Sequence, residues 1–261
     1  MKEMAKHINT LGMFLGMRDV PELTRGALRA ACGFEQADVM VLFGGSILCG
    51  GDVLAGAMRQ GVAKTYVIVG GEGHTTQTLR DIVYQAYPSI DTDGRPEAEV
   101  FAAYLLTKYG LQPDLLECAS TNCGNNITNL LDMLHQHGIA CRSIILTQDA
   151  SMQRRMDAGM RKYAPDVQII NYAAYQAQIT GKDGSLAYEQ PISGMWNTER
   201  YISLLMGEIP RLRDDENGYG PCGKGFIAHV DVPEDVLAAF GELSRQYAAL
   251  VRDANPLYAS K

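Results

Sequence analysis

Features that would indicate export or membrane anchoring are missing from the sequence. No run of 18 apolar residues is present to span a bilayer. The mildly apolar stretch from Ile8 to Met17 follows two lysines, but glycine and polar residues dilute it and no small-residue cleavage site follows. We therefore expect a cytoplasmic protein that is neither exported nor attached to a membrane.

Cysteine and histidine are scarce, with six and five copies in 261 residues. The cysteines form no C-x-x-C pair, and no Cys/His run has zinc-ligand spacing. Free cysteine packs as a small apolar side chain, so reduced and mostly buried thiols are expected. The sequence accordingly predicts no metal site.

Positive charge is also in the minority, because the formal net charge is -7. A polyanion would need a local basic patch strong enough to overcome this general repulsion, so nucleic acid is not an expected partner. A hydrophobic content of 46% in a chain of this length is enough to bury a large core.

What the sequence does contain is a repeated alternation of short β-rich runs and helical patterns. Several of the runs are apolar without alternation, as strands covered on both faces must be. Strand, helix, strand order implies right-handed crossovers and a doubly wound α/β fold with a parallel sheet. The predicted strands cover 38–43, 65–70, 115–118, 143–147 and 167–170. The predicted helices between them cover 51–60, 76–87, 96–109, 123–137 and 150–163.

This alternation ends near residue 185. We therefore predict an α/β ligand-binding core at 1–185, which includes an N-terminal helical segment, and a smaller C-terminal helical appendage at 186–261. Within the second half, 181–185 is predicted to be a loop and 195–207 a helix. The Pro- and Gly-rich stretch 210–225 is expected to be irregular, followed by an edge strand at 226–230 and a final helix at 233–252.

Glycine pairs follow the first two predicted strands. The first strand runs into Gly44, Gly45 and Ser46, and the second runs into Gly70 and Gly71. Glycine permits either a tight turn with positive φ or close approach of a ligand to the backbone. Two such loops at the carboxyl ends of strands favour a ligand pocket there. Neither loop matches a P-loop or a G-x-G-x-x-G fingerprint.

An unusually polar segment precedes the helix that follows the third strand. Ser120, Thr121, Asn122 and Asn126 all belong to it, and capping of the helix explains one of them. The remaining polar groups are predicted to contact a ligand.

Charged residues near the other strand ends have two interpretations each. Asp149 is either a helix cap or a ligand contact. Arg154 opposes the dipole of its helix, so its partner is expected to be a protein carboxylate or an anionic ligand. Glu97 either faces the pocket or only stabilises a helix start, and His74 is either catalytic or structural. No Ser/His/Asp order or nucleophile elbow is present, so no catalytic residue is assigned.

The strand-end loops and the segment Thr147-Gln148-Asp149-Ala150-Ser151-Met152-Gln153-Arg154-Arg155 resemble the YdcF-like family, a family of unknown function. The similarity extends over residues 35–240 and includes Glu199 to Leu205, Gly207 to Asp215 and Gly218 to Pro221. It implies a Rossmann-like domain typical of nucleotide-utilising enzymes, and binding of S-adenosylmethionine has been attributed to a member. This chain has Ser151 where relatives place a histidine, and Asn125 where an acid is common.

The sequence therefore predicts a small-molecule-binding protein whose ligand is nucleotide-like, with S-adenosylmethionine as the cofactor candidate. An enzyme of unknown reaction and a non-catalytic sensor that uses the same pocket remain alternatives. A third alternative is an interaction protein whose loops are only turns. The sequence leaves the oligomeric state open.

Overall fold

A computed structural model describes residues 1–73, 75–182 and 184–247. His74 and the part of the predicted final helix beyond residue 247 lie outside the described residues. The helices are α1 (Lys2–Leu15), α2 (Arg25–Cys32), α3 (Cys49–Gln60), α4 (Thr76–Ala86), α5 (Glu97–Tyr109), α6 (Cys123–Gln136), α7 (Gln153–Tyr163), α8 (Thr198–Leu212) and α9 (Glu234–Gln246). The strands are β1 (Ala37–Phe43), β2 (Ala63–Val69), β3 (Leu115–Glu117), β4 (Ser143–Thr147), β5 (Gln168–Asn171), β6 (Ile179–Lys182) and β7 (Ser185–Tyr188).

Five strands form one parallel sheet in the order β3-β2-β1-β4-β5. The order reverses between β1 and β4, because the chain adds β2 and β3 on one side and then crosses to the other. Ligands of such sheets bind beyond the carboxyl ends of the strands at this reversal. The predicted fold class, a Rossmann-like doubly wound α/β sheet, is confirmed.

Both faces of the sheet are buried, as the apolar strands predicted. In β1, Met40 and Leu42 pack with helices α2 to α5, whereas Val39, Val41 and Phe43 pack with α6 and α7. Alternation of side chains along a strand produces this division. The sheet is therefore a rigid support for the loops at its carboxyl edge.

A third apolar cluster joins α1 to the helices α8 and α9. Helix α1 packs against α8, α9 and β6, and its buried Ile8, Leu11 and Leu15 lie in one cluster with Leu205 and Leu243. The helices of the predicted C-terminal appendage thus pack against the N-terminal helix α1. The β6–β7 hairpin also spans residue 185, so the chain has no extended linker at that position.

Three local predictions in the C-terminal part differ from the structure. Residues 226–230 do not form a strand. Of the segment 181–185, which was predicted to be a loop, residues 181, 182 and 185 belong to an antiparallel hairpin that pairs Ile179 with Tyr188. Helix α8 continues through Pro210 to Leu212, because burial of Ile209 and Leu212 offsets the backbone hydrogen bond that proline cannot make.

None of the helices in the described ranges combines the length and apolar character needed to cross a membrane. All six cysteines are free thiols.

Candidate functional site

A cavity of about 320 Å³ lies across the carboxyl ends of β1 to β4, and α8 forms its opposite wall. This volume is within the usual range for small-molecule sites. Ten of the twelve predicted ligand-binding residues line it: Gly44, Gly45, Gly70, Gly71, Glu97, Ser120, Thr121, Asn122, Asn126 and Asp149.

The glycines after β1 are needed for close packing and not for a left-handed backbone, since neither has a positive φ. A Cβ atom on Gly44 would overlap the carboxyl group of Glu97. On Gly45 it would lie 2.8 Å from Oδ2 of Asp149. The two glycines therefore make room for two carboxyl groups, one on each side of the loop.

Gly71, after β2, is packed against the backbone of the loop after β3. A Cβ atom there would overlap the carbonyl oxygen of Ser120 and lie 2.8 Å from that of Cys118. Its N–H also donates to the Ser120 hydroxyl at 3.2 Å. Gly71 thus joins two neighbouring loops of the cavity.

We expect Gly71→Ala to lower the free energy of unfolding by about 1–3 kcal/mol, because backbone atoms cannot rotate away as a side chain can. Chemical denaturation measures this change. Gly73→Ala is the matched control in the same loop, since among the described residues its added Cβ would meet only the Thr121 carbonyl at 3.9 Å. Equal losses in both variants would contradict the packing role of Gly71.

Glu97 is held at the cavity by the start of α5. The N–H groups of Glu97 and Ala98 donate to the carbonyls of Gly71 and Gly70 at 3.0 and 2.8 Å. The Glu97 side chain is 7% exposed, and its Oε1 accepts hydrogen bonds from Thr76 and Thr75 at 2.9 and 3.1 Å. Burial raises the pKa of Glu97 to about 7, although both hydroxyl groups act in the opposite direction.

Asp149 follows β4 and is fixed by the buried side chain of Gln148. The Gln148 carboxamide donates to the Gly44 carbonyl at 3.1 Å and accepts from the Asp149 N–H at 2.6 Å. No side chain in the described part of the chain donates to the Asp149 carboxyl group. Burial, and then the charge of Glu97, raises the pKa of Asp149 to about 8.

The loop before α6 supplies neutral polar groups. Asn122 caps the helix, as predicted for one residue of this set, by accepting from the N–H of Asn125 at 2.9 Å. Thr121 and Ser120 lie on the same wall. The side-chain amide of Asn126 has no hydrogen-bond partner within the described ranges, so it is available to a ligand.

One stripe of α8 faces the cavity. Its members recur at helical spacing and are mostly polar: Arg200, Ser203, Leu204, Gly207, Glu208 and Arg211. The opposite side of α8 is apolar and buried in the cluster that contains α1 and α9. The helix is thus amphipathic, but its polar side covers a cavity.

Two arginines of the cavity differ in whether a carboxylate neutralises them. Arg155 and Glu208 form a bidentate pair, with Nε–Oε2 and Nη2–Oε1 distances of 2.5 and 3.0 Å, and their side chains are 16% and 7% exposed. The guanidinium group of Arg200 has no hydrogen-bond or ion-pair partner among the described residues. Arg200 is therefore the cation of this wall that is free to bind an anion.

Two predicted ligand contacts do not line the cavity. The hydroxyl group of Ser46 is fully buried and accepts from the indole N–H of Trp196 at 3.1 Å. Arg154 donates to the Phe14 carbonyl and lies over the Phe14 ring. The prediction that Arg154 has an anionic partner is therefore wrong, because its guanidinium group contacts the carbonyl and the aromatic ring of Phe14 in α1. The next residue, Arg155, lines the cavity instead.

Sequence reasoning missed the whole α8 wall and the residues near it, including Trp196, Tyr219, Gln148 and Met152. A signal was present in the spacing of Arg200, Ser203, Gly207 and Arg211. This spacing did not predict a cavity wall, because the polar stripe of an amphipathic helix normally faces solvent.

No family model matches this chain. Within the described ranges, no group of three or more His, Cys, Asp or Glu side chains has the arrangement to hold a metal ion.

Proposed function

We propose that this chain is a YdcF-like protein that binds a nucleotide-like small molecule in the cavity between the strand ends and α8. One observation carries the proposal: two buried carboxyl groups at the sheet edge face a helix whose Arg200 has no charged partner in the described part of the chain. The cavity therefore has an acceptor end and a cationic end.

The acceptor end suits a ribose. Glu97 and Asp149 present carboxyl oxygens beside Gly44 and Gly45, and ribose hydroxyl groups donate to such carboxylates in nucleotide-binding sheets. The free amide of Asn126 adds a further donor and acceptor.

The opposite wall suits the anionic part of the same ligand. Arg200 offers a planar guanidinium group for phosphate or carboxylate. Arg211 lies on the same stripe, and its nearest carboxylate oxygen, on Glu208, is 4.0 Å away. Since Glu208 already neutralises Arg155, the net charge of this wall is positive.

The half-buried side chain of Trp196 and the apolar groups of Met152 and Leu204 supply a surface for a flat base. S-adenosylmethionine has all the groups that these walls complement. Its carboxylate would be held by Arg200, and its ribose and cationic groups by Glu97 and Asp149. When bound, it supplies a transferable methyl group.

We expect Arg200→Ala to weaken binding of adenosine 5′-monophosphate and S-adenosylmethionine at least roughly tenfold, because a charge-assisted contact contributes about 1.5–3 kcal/mol. Binding of adenosine, which has no anionic group, should change less than about twofold. Isothermal calorimetry with the three ligands measures this difference.

Arg245→Ala is the matched control, because Arg245 is an exposed arginine of α9. It should bind all three ligands as the parent does. An equal loss of adenosine and adenosine 5′-monophosphate in Arg200→Ala, or no binding of any of the three ligands to the parent, would contradict the proposal.

A further inference from the structure

We propose that Glu97 and Asp149 are an acid–base pair that hydrolyses the bond between the ribose and the base of a nucleoside or nucleoside 5′-phosphate. This inference rests on the proposed function, because it takes the nucleotide-like ligand to be a substrate. It assigns a reaction to the same cavity.

The two carboxyl groups are brought together by the β1 loop. The space where Gly44 and Gly45 lack side chains is filled by Glu97 on one side and Asp149 on the other. Both side chains are at most 7% exposed and both line the cavity. Two carboxyl groups that are both largely buried in one cavity do not both ionise readily, so near neutral pH the pair retains a proton.

Their surroundings differ, and the difference assigns the roles. Glu97 receives hydrogen bonds from two threonine hydroxyl groups, which stabilise its ionised form. Asp149 receives none from the side chains of the described residues. The proton therefore belongs on Asp149, which makes Asp149 the general acid and Glu97 the general base.

Water is the nucleophile that this cavity supports. The described lining residues include no lysine or histidine. Burial raises the pKa of the Cys123 thiol, which keeps it protonated. The Ser120 hydroxyl accepts from the Gly71 N–H, and the Thr75 hydroxyl donates to Glu97, the proposed base.

In the proposed step, Glu97 takes a proton from water as the water oxygen forms a bond to ribose C1′. The bond from C1′ to the base nitrogen breaks, and its electron pair stays with the base. Asp149 donates its proton to a ring nitrogen of that base. The products are the free base and the sugar, and proton transfer from Glu97 to Asp149 restores the pair.

Glycosidic cleavage is a reaction for which one acid and one base on two carboxyl groups are sufficient. The leaving base needs a proton, and the attacking water must lose one. No redox partner is consumed. The arginines of α8 would hold the 5′-phosphate, away from the bond that breaks.

The test is incubation of the full chain with adenosine and with adenosine 5′-monophosphate, followed by chromatography for free adenine and an equal amount of the sugar product. We expect adenine release by the parent, and a fall in kcat of about 100-fold or more in Glu97→Gln and in Asp149→Asn, with a much smaller change in KM because the amides still hydrogen-bond the ribose. The loss in these variants also excludes a contaminating hydrolase.

Glu99→Gln is the matched control, because Glu99 lies two residues further along α5 and does not line the cavity. It should keep the parent rate. Ligand binding is measured in parallel by thermal shift, and the melting curves report whether each variant folds.

Binding of adenosine 5′-monophosphate without adenine release would overturn the hydrolysis and leave the proposed function intact, as expected for a sensor. Adenine release that survives both substitutions would also overturn it, as would a change in KM alone. If neither probe binds and no adenine is released, the proposed function and this inference both fail.

Discussion

Glu208→Gln should lower the free energy of unfolding by about 3–5 kcal/mol, the largest stability change that we expect from one substitution in the cavity wall. The substitution keeps the side-chain volume but leaves the guanidinium group of Arg155 buried without a carboxylate. Chemical denaturation measures the loss directly. In thermal melts it corresponds to roughly 6–20 °C for a protein of this size.

The Arg155–Glu208 pair joins α7, which packs on the sheet, to α8, which closes the cavity. Loss of the pair should therefore also weaken ligand binding. Glu199→Gln, an exposed acid in the first turn of α8, is the control and should change stability by less than about 0.5 kcal/mol.

A double substitution separates the cost of an unpaired charge from the value of the pair. Arg155→Met with Glu208→Leu removes both charges and keeps the apolar volume, so it should recover most of the stability that Glu208→Gln loses. If the double variant is as unstable as the single one, packing and not the buried charge would be the cause.

The sheet and the glycine-rich and polar loops at its carboxyl edge were predictable from the sequence because their causes are local. Strands buried on both faces are apolar runs, and each is followed by glycine or polar residues. The β4 limits, Ser143–Thr147, were predicted without error. The glycines after β1 were predicted to shape a pocket and do line the cavity, and the structure adds that their lack of a Cβ makes room for Glu97 and Asp149.

The contacts that cross between distant segments were not predictable in this way. Arg154 and Arg155 are adjacent, and only the position of α1 decides that the first meets Phe14 while the second meets Glu208. The extension of α8 past Pro210 likewise depends on tertiary burial. By contrast, Asp183-Gly184 between β-compatible residues is a hairpin signal that sequence analysis could have used.

Asp149→Asn should stabilise the protein at alkaline pH and have little effect at acidic pH. In the unfolded chain an aspartate titrates near pH 4, whereas burial and the charge of Glu97 raise the pKa of Asp149 to about 8 in the folded chain. Between these two values the folded state binds more protons than the unfolded state. The free energy of unfolding must therefore fall as pH rises through this window.

The Glu97 carboxyl group, with its pKa raised to about 7, acts in the same direction. Tyr175 and Cys49 also face Asp149, but burial raises the pKa of each, so both stay neutral in this window. At about 1.4 kcal/mol per pKa unit, a pKa raised from near 4 to about 8 sets an upper limit of about 6 kcal/mol for Asp149. Solvent screening at the open cavity reduces the effect expected between pH 5 and pH 8.5 to about 2–3 kcal/mol.

Denaturation at pH 5 and pH 8.5 tests this sign. The parent should lose stability between the two values, and Asp149→Asn should lose about 2–3 kcal/mol less, because asparagine is neutral in both the folded and unfolded states. Asp132→Asn, an exposed acid of α6, should follow the parent curve at both pH values. A constant difference between Asp149→Asn and the parent at the two pH values would show that Asp149 is ionised throughout. That result would also contradict the acid–base proposal, which requires Asp149 to be protonated near neutral pH.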